Sequence, residues 1–92
     1  MTTRVNGNPL NEVERKSREK AYRDTIADFS GPQKGQVEQM NLTSAIKDGL
    51  FGGISPEKIK SDLKALGVDP ERVDRLVDRN VSQWKFTYEP SN

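Results

Sequence analysis

The stretch "SPEKIKSDLKALGVDPERVDRLVDRNVSQW", Ser55–Trp84, decides the fold, because it predicts two helices joined by a tight turn. Each helix opens with a capping side chain followed by proline, in "SPE" and in "DPE". Proline suits the first helical position because it has no N–H to leave unpaired. Gly67 is expected to end the first helix, where a glycine tolerates a positive φ. We predict helices at about 56–66 and 70–84 that form a helical hairpin, although Asn80 offers an earlier end to the second.

Two more helical segments precede this hairpin. A helix is predicted at about 9–30, with Asn8-Pro9 as its N-cap and first residue, and a Gly-Pro pair after its end. Residues 31–36 are a linker. The apolar spacing of residues 36–51 fits either one helix or two, since Asn41 is also a good N-cap for a shorter second helix.

The apolar residues are few and unevenly distributed. Leu, Ile, Val and Phe account for 20 of 92 residues, just above the range typical of disordered chains. Counting Met, Tyr and Trp as well, 18 apolar residues fall in 37–88 and seven in 1–36. We therefore expect a flexible tail at 1–7 and one small, mainly α domain at 8–92, with its compact core at 37–88. A core of this size is marginal by itself, which favours a homodimer or a bound partner.

The C-terminal segment "QWKFTYEP" has a different periodicity. Trp84, Phe86 and Tyr88 alternate with polar residues, which is the pattern of a β-strand. Such a strand can add to the sheet edge of another protein, with its aromatic side chains as anchors. The alternatives are that the segment folds back on the hairpin, or that it pairs with "TTRV" near the N-terminus as a two-stranded ribbon.

The composition argues against catalysis, metals and cofactors. The chain has neither cysteine nor histidine, so it lacks the usual nucleophile, general base and soft metal ligands. Asp74 and Asp78 share a helix face, but we expect the interleaved arginines to neutralise them. The glycines of "DGLFGGIS" lack the Lys-Ser or Lys-Thr pair of a phosphate loop and predict a helix end and a connection. No secretory signal or membrane-length apolar run is present, so a cytoplasmic location is expected.

DNA binding is the second function to consider. "LKALGVDPERVDRLV" has the glycine and apolar spacing of a helix-turn-helix. The position four residues before the glycine, usually small, is Leu63. The second helix also opens with Asp69 and Glu71, whose carboxylates repel phosphates. With 15 basic and 14 acidic residues the net charge is +1, which gives no general attraction to nucleic acid.

We therefore predict a non-catalytic protein-binding module: an adaptor, inhibitor or assembly factor that occupies a surface of a partner protein. Its composition is compatible with a small bacterial or phage regulator. The alternative is a DNA-binding regulator that uses the hairpin at 55–84. The predicted partner-binding residues are three aromatic anchors and five arginines for polar contacts: Trp84, Phe86, Tyr88, Arg15, Arg18, Arg72, Arg75 and Arg79.

Overall fold

The fold is mainly helical, as the sequence predicts. The computed structural model describes residues 2–5, 8–9, 11–84 and 86–89, and of these 11–84 are described with their side chains. The described residues form four α-helices: α1 Glu12–Ser30, α2 Leu42–Phe51, α3 Pro56–Ala65 and α4 Pro70–Trp84. A short 3-10 helix, Val37–Gln39, precedes α2. The strands are β1 Thr2–Val5, β2 Asn8–Pro9 and β3 Phe86–Glu89.

Helix α1 begins later than predicted. Asn11 is its N-cap, and its side-chain oxygen accepts a hydrogen bond of 2.8 Å from the N–H of Val13. The prediction of a cap at Asn8-Pro9 is wrong, because these residues form β2. Strand β2 lies at the edge of its sheet, where the missing N–H of a proline is tolerated. Asn8 and Asn11 have the same capping side chain, but Asn8 belongs to strand β2 and Asn11 caps the helix.

The strands form one sheet in the order β2-β1-β3, with both pairings antiparallel. In the register of β1 with β3, Thr2 pairs with Glu89 and Val5 with Phe86. Residues 2–5 are therefore a strand within the segment predicted as a flexible tail, consistent with the β-propensity of threonine and valine. The backbone of the aromatic segment pairs within the chain, with the segment that contains "TTRV". Because β3 is an outer strand of this sheet, one of its edges faces no other described strand.

Residues 36–51 form two elements rather than one helix. Met40, with φ −63° and ψ 136°, is extended and separates the 3-10 helix from α2. The Asn41 side chain then accepts a hydrogen bond of 3.0 Å from the N–H of Ser44, so it is the N-cap of α2. Of the two predicted alternatives, the shorter helix capped by Asn41 is correct.

The hairpin of α3 and α4 has the predicted N-cap of α3 and the predicted turn. The Ser55 hydroxyl accepts from the N–H of Lys58 at 3.3 Å, which caps α3. Gly67 has φ +97°, and the N–H of Val68 reaches back to the carbonyl of Leu63 at 3.3 Å. This is the six-to-one hydrogen bond of a Schellman motif, in which a glycine reverses the chain direction at the helix end.

One hydrophobic core joins all four helices. Tyr22 of α1 is 2% exposed and belongs to it, so the core extends beyond the predicted 37–88. Ile26 and Phe29 of α1 pack against it, as their spacing indicates. The largest fully buried side chains come from α2, α3 and α4: Ile46, Leu50, Ile59, Leu63, Val73 and Val77.

Gly49 of α2 and Gly52, the C-cap of this helix, let α1 cross it closely. A Cβ atom on Gly52 would lie 2.6 Å from the backbone nitrogen of Glu19. A Cβ on Gly49 would lie 2.9 Å from the Tyr22 ring and 2.8 Å from Cδ1 of Ile59. Helix backbones approach this closely only where a side chain is absent. Gly49 and Gly52 therefore serve the packing of α1 on α2.

Candidate partner-binding site

Three arginines share the outer face of α4. The opposite face of this helix is buried through Val73 and Val77. Arg72, Arg75 and Arg79 are exposed. At 100° per residue they fall within an arc of about 60° and span about 10 Å along the helix axis. We call these three residues the arginine face.

The aspartates of α4 are held by lysines of α3. Lys60 Nζ lies 2.8 Å from Oδ1 of Asp78, and Lys64 Nζ lies 2.9 Å from Oδ1 of Asp74. Asp74 is also 4.0 Å from Lys60. The hydrogen bond with Asp78 is the main reason why the pKa of Lys60 is raised. The prediction that the interleaved arginines neutralise these carboxylates is therefore wrong.

This pairing leaves the arginine face without carboxylate partners among the side chains of residues 11–84. Within residues 11–84, no ion pair or side-chain hydrogen bond involves Arg72, Arg75 or Arg79. Guanidinium groups bind carboxylates and phosphates through paired, parallel N–H donors. Leu76 borders the face and is only half-buried, so an apolar contact is available beside the charges. The arrangement suits an acidic surface on another molecule.

The first turn of α4 has the opposite charge. Asp69 and Glu71 are exposed there, next to Arg72. Leu63, at the position that is usually small in a helix-turn-helix, is fully buried in the hairpin. In that motif the first turn of the second helix meets bases and phosphates, so two carboxylates there oppose DNA binding.

Arg15 and Arg18 lie on α1 and take part in contacts within the chain. Arg15 bonds Glu12 at 2.8 Å. Arg18 bonds Oδ1 of Asp48 at 3.0 Å, and its guanidinium carbon lies 5.4 Å from the centre of the Phe51 ring. Arg18 therefore links α1 to α2, and neither arginine belongs to the arginine face. Their predicted role in partner binding stays a prediction.

Trp84 packs on the domain itself. Its ring meets that of Phe51 edge to face, with 5.7 Å between the ring centres, and Lys47 Nζ lies 5.2 Å from its centre. The indole nitrogen is buried and has no acceptor in the described part of the chain. Trp84 is thus half-buried in an intramolecular contact. The side chains of Phe86 and Tyr88 lie outside the described residues, so the role of all three as anchors stays a prediction.

Lys60 and Lys64 are the residues that the sequence analysis missed at this site. The signal was present in their spacing: two lysines four residues apart on α3 and two aspartates four residues apart on α4. In an antiparallel hairpin, Lys64 faces Asp74 near the turn, and Lys60 faces Asp78 farther from the turn. Considering each helix separately hides this correspondence.

The search for metal sites, for membrane-spanning helices and for similar proteins gives no further indication of function. The described residues contain no group of three or more acidic, histidine or cysteine side chains placed to hold a metal ion. None of the helices in the described ranges has both the length and the apolar character needed to cross a bilayer. Comparison with protein-family models, curated proteins and solved structures finds no match.

Proposed function

We propose that this chain is a non-catalytic protein-binding module, an adaptor, inhibitor or assembly factor of the cytoplasm. It uses the arginine face of α4 to occupy an acidic surface of a partner protein. One observation carries the proposal: the aspartates of α4 are paired with lysines of α3, while the three arginines are exposed and unpaired among the described side chains. Trp84 packs on the chain's own helices, so we assign partner binding to the exposed arginine face.

The chemistry of the face favours a protein partner with carboxylates. Arginine is enriched among the residues that dominate binding energy at protein interfaces, and its fork matches a carboxylate. Leu76 supplies an apolar contact at the border of the face. A symmetric homodimer through this face would bring three positive charges against three positive charges. Like charges across an interface cost several kcal/mol, so the face suits a different, acidic protein.

DNA binding is the second candidate, because the same row of arginines could face phosphates. Asp69 and Glu71 at the start of α4, together with a net charge of +1, weigh against it. The two candidates differ in what holds the partner. Binding to a protein survives nuclease treatment, whereas binding through nucleic acid does not.

Affinity capture from a nuclease-treated lysate of the native host tests the proposal. The wild-type chain is compared with the variant Arg72→Gln, Arg75→Gln, Arg79→Gln. The matched control is Lys16→Gln, Lys20→Gln, Lys34→Gln, which removes the same charge from exposed positions on α1 and the following turn. Far-UV circular dichroism of all three proteins checks that each is folded.

We expect a protein that the wild type and the lysine control retain and that the arginine variant loses. Equal retention by all three proteins would contradict the proposal. Retention that appears only without nuclease, together with binding of duplex DNA that requires the arginines and falls steeply with salt, would favour the DNA-binding alternative.

A further inference from the structure

A groove of about 470 Å³ lies on another side of the molecule, between α1, the connection from α2 to α3, and α3 itself. Ile26, Ala27 and Ile54 line it, together with Tyr22. We call it the Tyr22 groove. A volume of several hundred Å³ is typical of sites for small molecules. None of its lining residues belongs to α4, so it is separate from the arginine face.

The polar groups at the base of the groove satisfy one another. The Tyr22 hydroxyl donates a hydrogen bond of 2.7 Å to Oδ2 of Asp62, and Lys58 Nζ donates one of 2.9 Å to Oδ1. Burial, and then the hydrogen bond to Asp62, raise the pKa of Tyr22, so the phenol stays a donor. An apolar group can therefore enter the groove without leaving the phenol or this carboxylate unpaired.

The rim of the groove is positively charged. Arg23 and Lys58 are both exposed, and Asp62 is the one acidic residue in the lining. Lys58 is bound to Asp62, so Arg23 is the cation of the lining without an acidic partner in the lining. Glu19, outside the lining, forms an ion pair of 3.9 Å with Arg23, a distance too long for a hydrogen bond. The guanidinium thus keeps donors available beside an apolar surface.

We propose that the Tyr22 groove binds an amphipathic organic anion, a small molecule with an aromatic or branched aliphatic body and one acidic group. The body packs on Ile26, Ala27 and Ile54, and the acidic group pairs with Arg23. A neutral compound of the same shape gains the apolar contacts alone. This second site is independent of the partner protein that the arginine face binds.

Two fluorescent probes with the same rings separate the apolar and the charged contributions. 8-Anilinonaphthalene-1-sulfonate carries the acidic group, and N-phenyl-1-naphthylamine lacks it. Titration of the folded, full-length chain is expected to show saturable, one-to-one binding of the sulfonate, with at least tenfold weaker binding of the neutral amine. Amide NMR spectra of the labelled chain should shift at residues 22–27 and 53–58.

Three variants locate the site. Ala27→Phe places a large ring in the groove from an exposed position and should abolish binding of the sulfonate. Ala65→Phe, at an exposed position of α3 outside the groove, is the matched control and should bind normally. Arg23→Gln should weaken the sulfonate about tenfold and leave the neutral amine unchanged. Circular dichroism of each variant distinguishes lost binding from lost folding.

Absence of saturable sulfonate binding would overturn the proposal, and so would equal affinity for the two probes. Unchanged binding to the folded Ala27→Phe variant would place the probe elsewhere and refute the site. A short peptide with a free C-terminal phenylalanine is the last probe. If the peptide binds and the sulfonate does not, the groove takes the chain end of a partner protein, and a small-molecule site is excluded. None of these results bears on the capture of a partner protein by the arginine face of α4, which is tested separately.

Discussion

Replacing Gly52 with alanine tests the close crossing of α1 and α2 on which the fold depends. The backbone of Gly52, at φ −79° and ψ −2°, suits any L-residue, so alanine introduces no conformational strain. The added Cβ would lie 2.6 Å from the nitrogen and 2.7 Å from the Cα of Glu19. These are backbone atoms within α1, and they cannot move aside as a flexible side chain can.

The cost follows from this distance. Restoring an ordinary contact of 3.4 Å requires the two helices to separate locally by about 0.8 Å. A gap of this size forfeits roughly a quarter to a half of the dispersion energy of the contacts it opens. Overpacking of this kind costs about 1–3 kcal/mol, and the reduced entropy of the unfolded chain returns about 0.4–1 kcal/mol. We expect Gly52→Ala to lower the free energy of unfolding by about 1–2 kcal/mol.

Gly35→Ala is the matched control. A Cβ at Gly35 meets no atom within 4 Å, and its φ is not positive, so the same substitution should be neutral or slightly stabilising. Urea unfolding followed by far-UV circular dichroism measures both variants. A loss of about 1–2 kcal/mol corresponds to a fall of roughly 4–16 °C in Tm for a domain of this size. Equal stability of the two variants would refute the crossing of α1 over α2 at Gly52.

Three further predictions concern the hydrogen bonds, charges and turn of the helices. Tyr22→Phe removes the donor to Asp62 and should cost about 1–3 kcal/mol at neutral pH by urea unfolding. Because the folded pKa of Tyr22 is raised, the stability of the wild type should fall above pH 10, by up to about 1.4 kcal/mol per pH unit. This pH dependence should be weaker in the variant. The same alkaline profile in both proteins would count against the buried phenol. The double variant Lys60→Gln, Lys64→Gln leaves the aspartates of α4 without their cations beside the arginine face. Quantitative capture should therefore show weaker partner binding, although all three arginines are intact. Undiminished binding would contradict the role of the lysines. Gly67→Ala should cost about 1–2 kcal/mol in urea unfolding from its positive φ alone, and a neutral result would exclude the Schellman turn.

Local signals allowed the hairpin to be predicted from the sequence. Ser55, the prolines that open α3 and α4, and Gly67 each determine a helix end through neighbouring backbone groups. The start of α1 was predicted wrongly because a competing strand pairing takes Asn8-Pro9. That pairing involves another strand, so local capping propensity carries no information about it. Local sequence determines helix ends well unless a distant segment competes for the same residues.

The Tyr22 groove and the arginine face depend on contacts between residues that are distant in the sequence. Local sequence patterns do not reveal such contacts. Tyr22 and Asp62 are hydrogen-bonded across 40 positions, and no local pattern joins them. From the sequence, Arg72, Arg75 and Arg79 are named as contact residues, and their role in binding stays a prediction. Their availability depends on α3, whose lysines take the carboxylates that a single-helix view assigns to the arginines.

The most direct test of the account is the amount of captured protein retained by the Arg72→Gln, Arg75→Gln, Arg79→Gln variant relative to the lysine control, measured by mass spectrometry in nuclease-treated lysate. The account predicts at least a tenfold loss for one or more proteins that the control retains at wild-type levels. A ratio of one for every captured protein, with both variants folded, would contradict it.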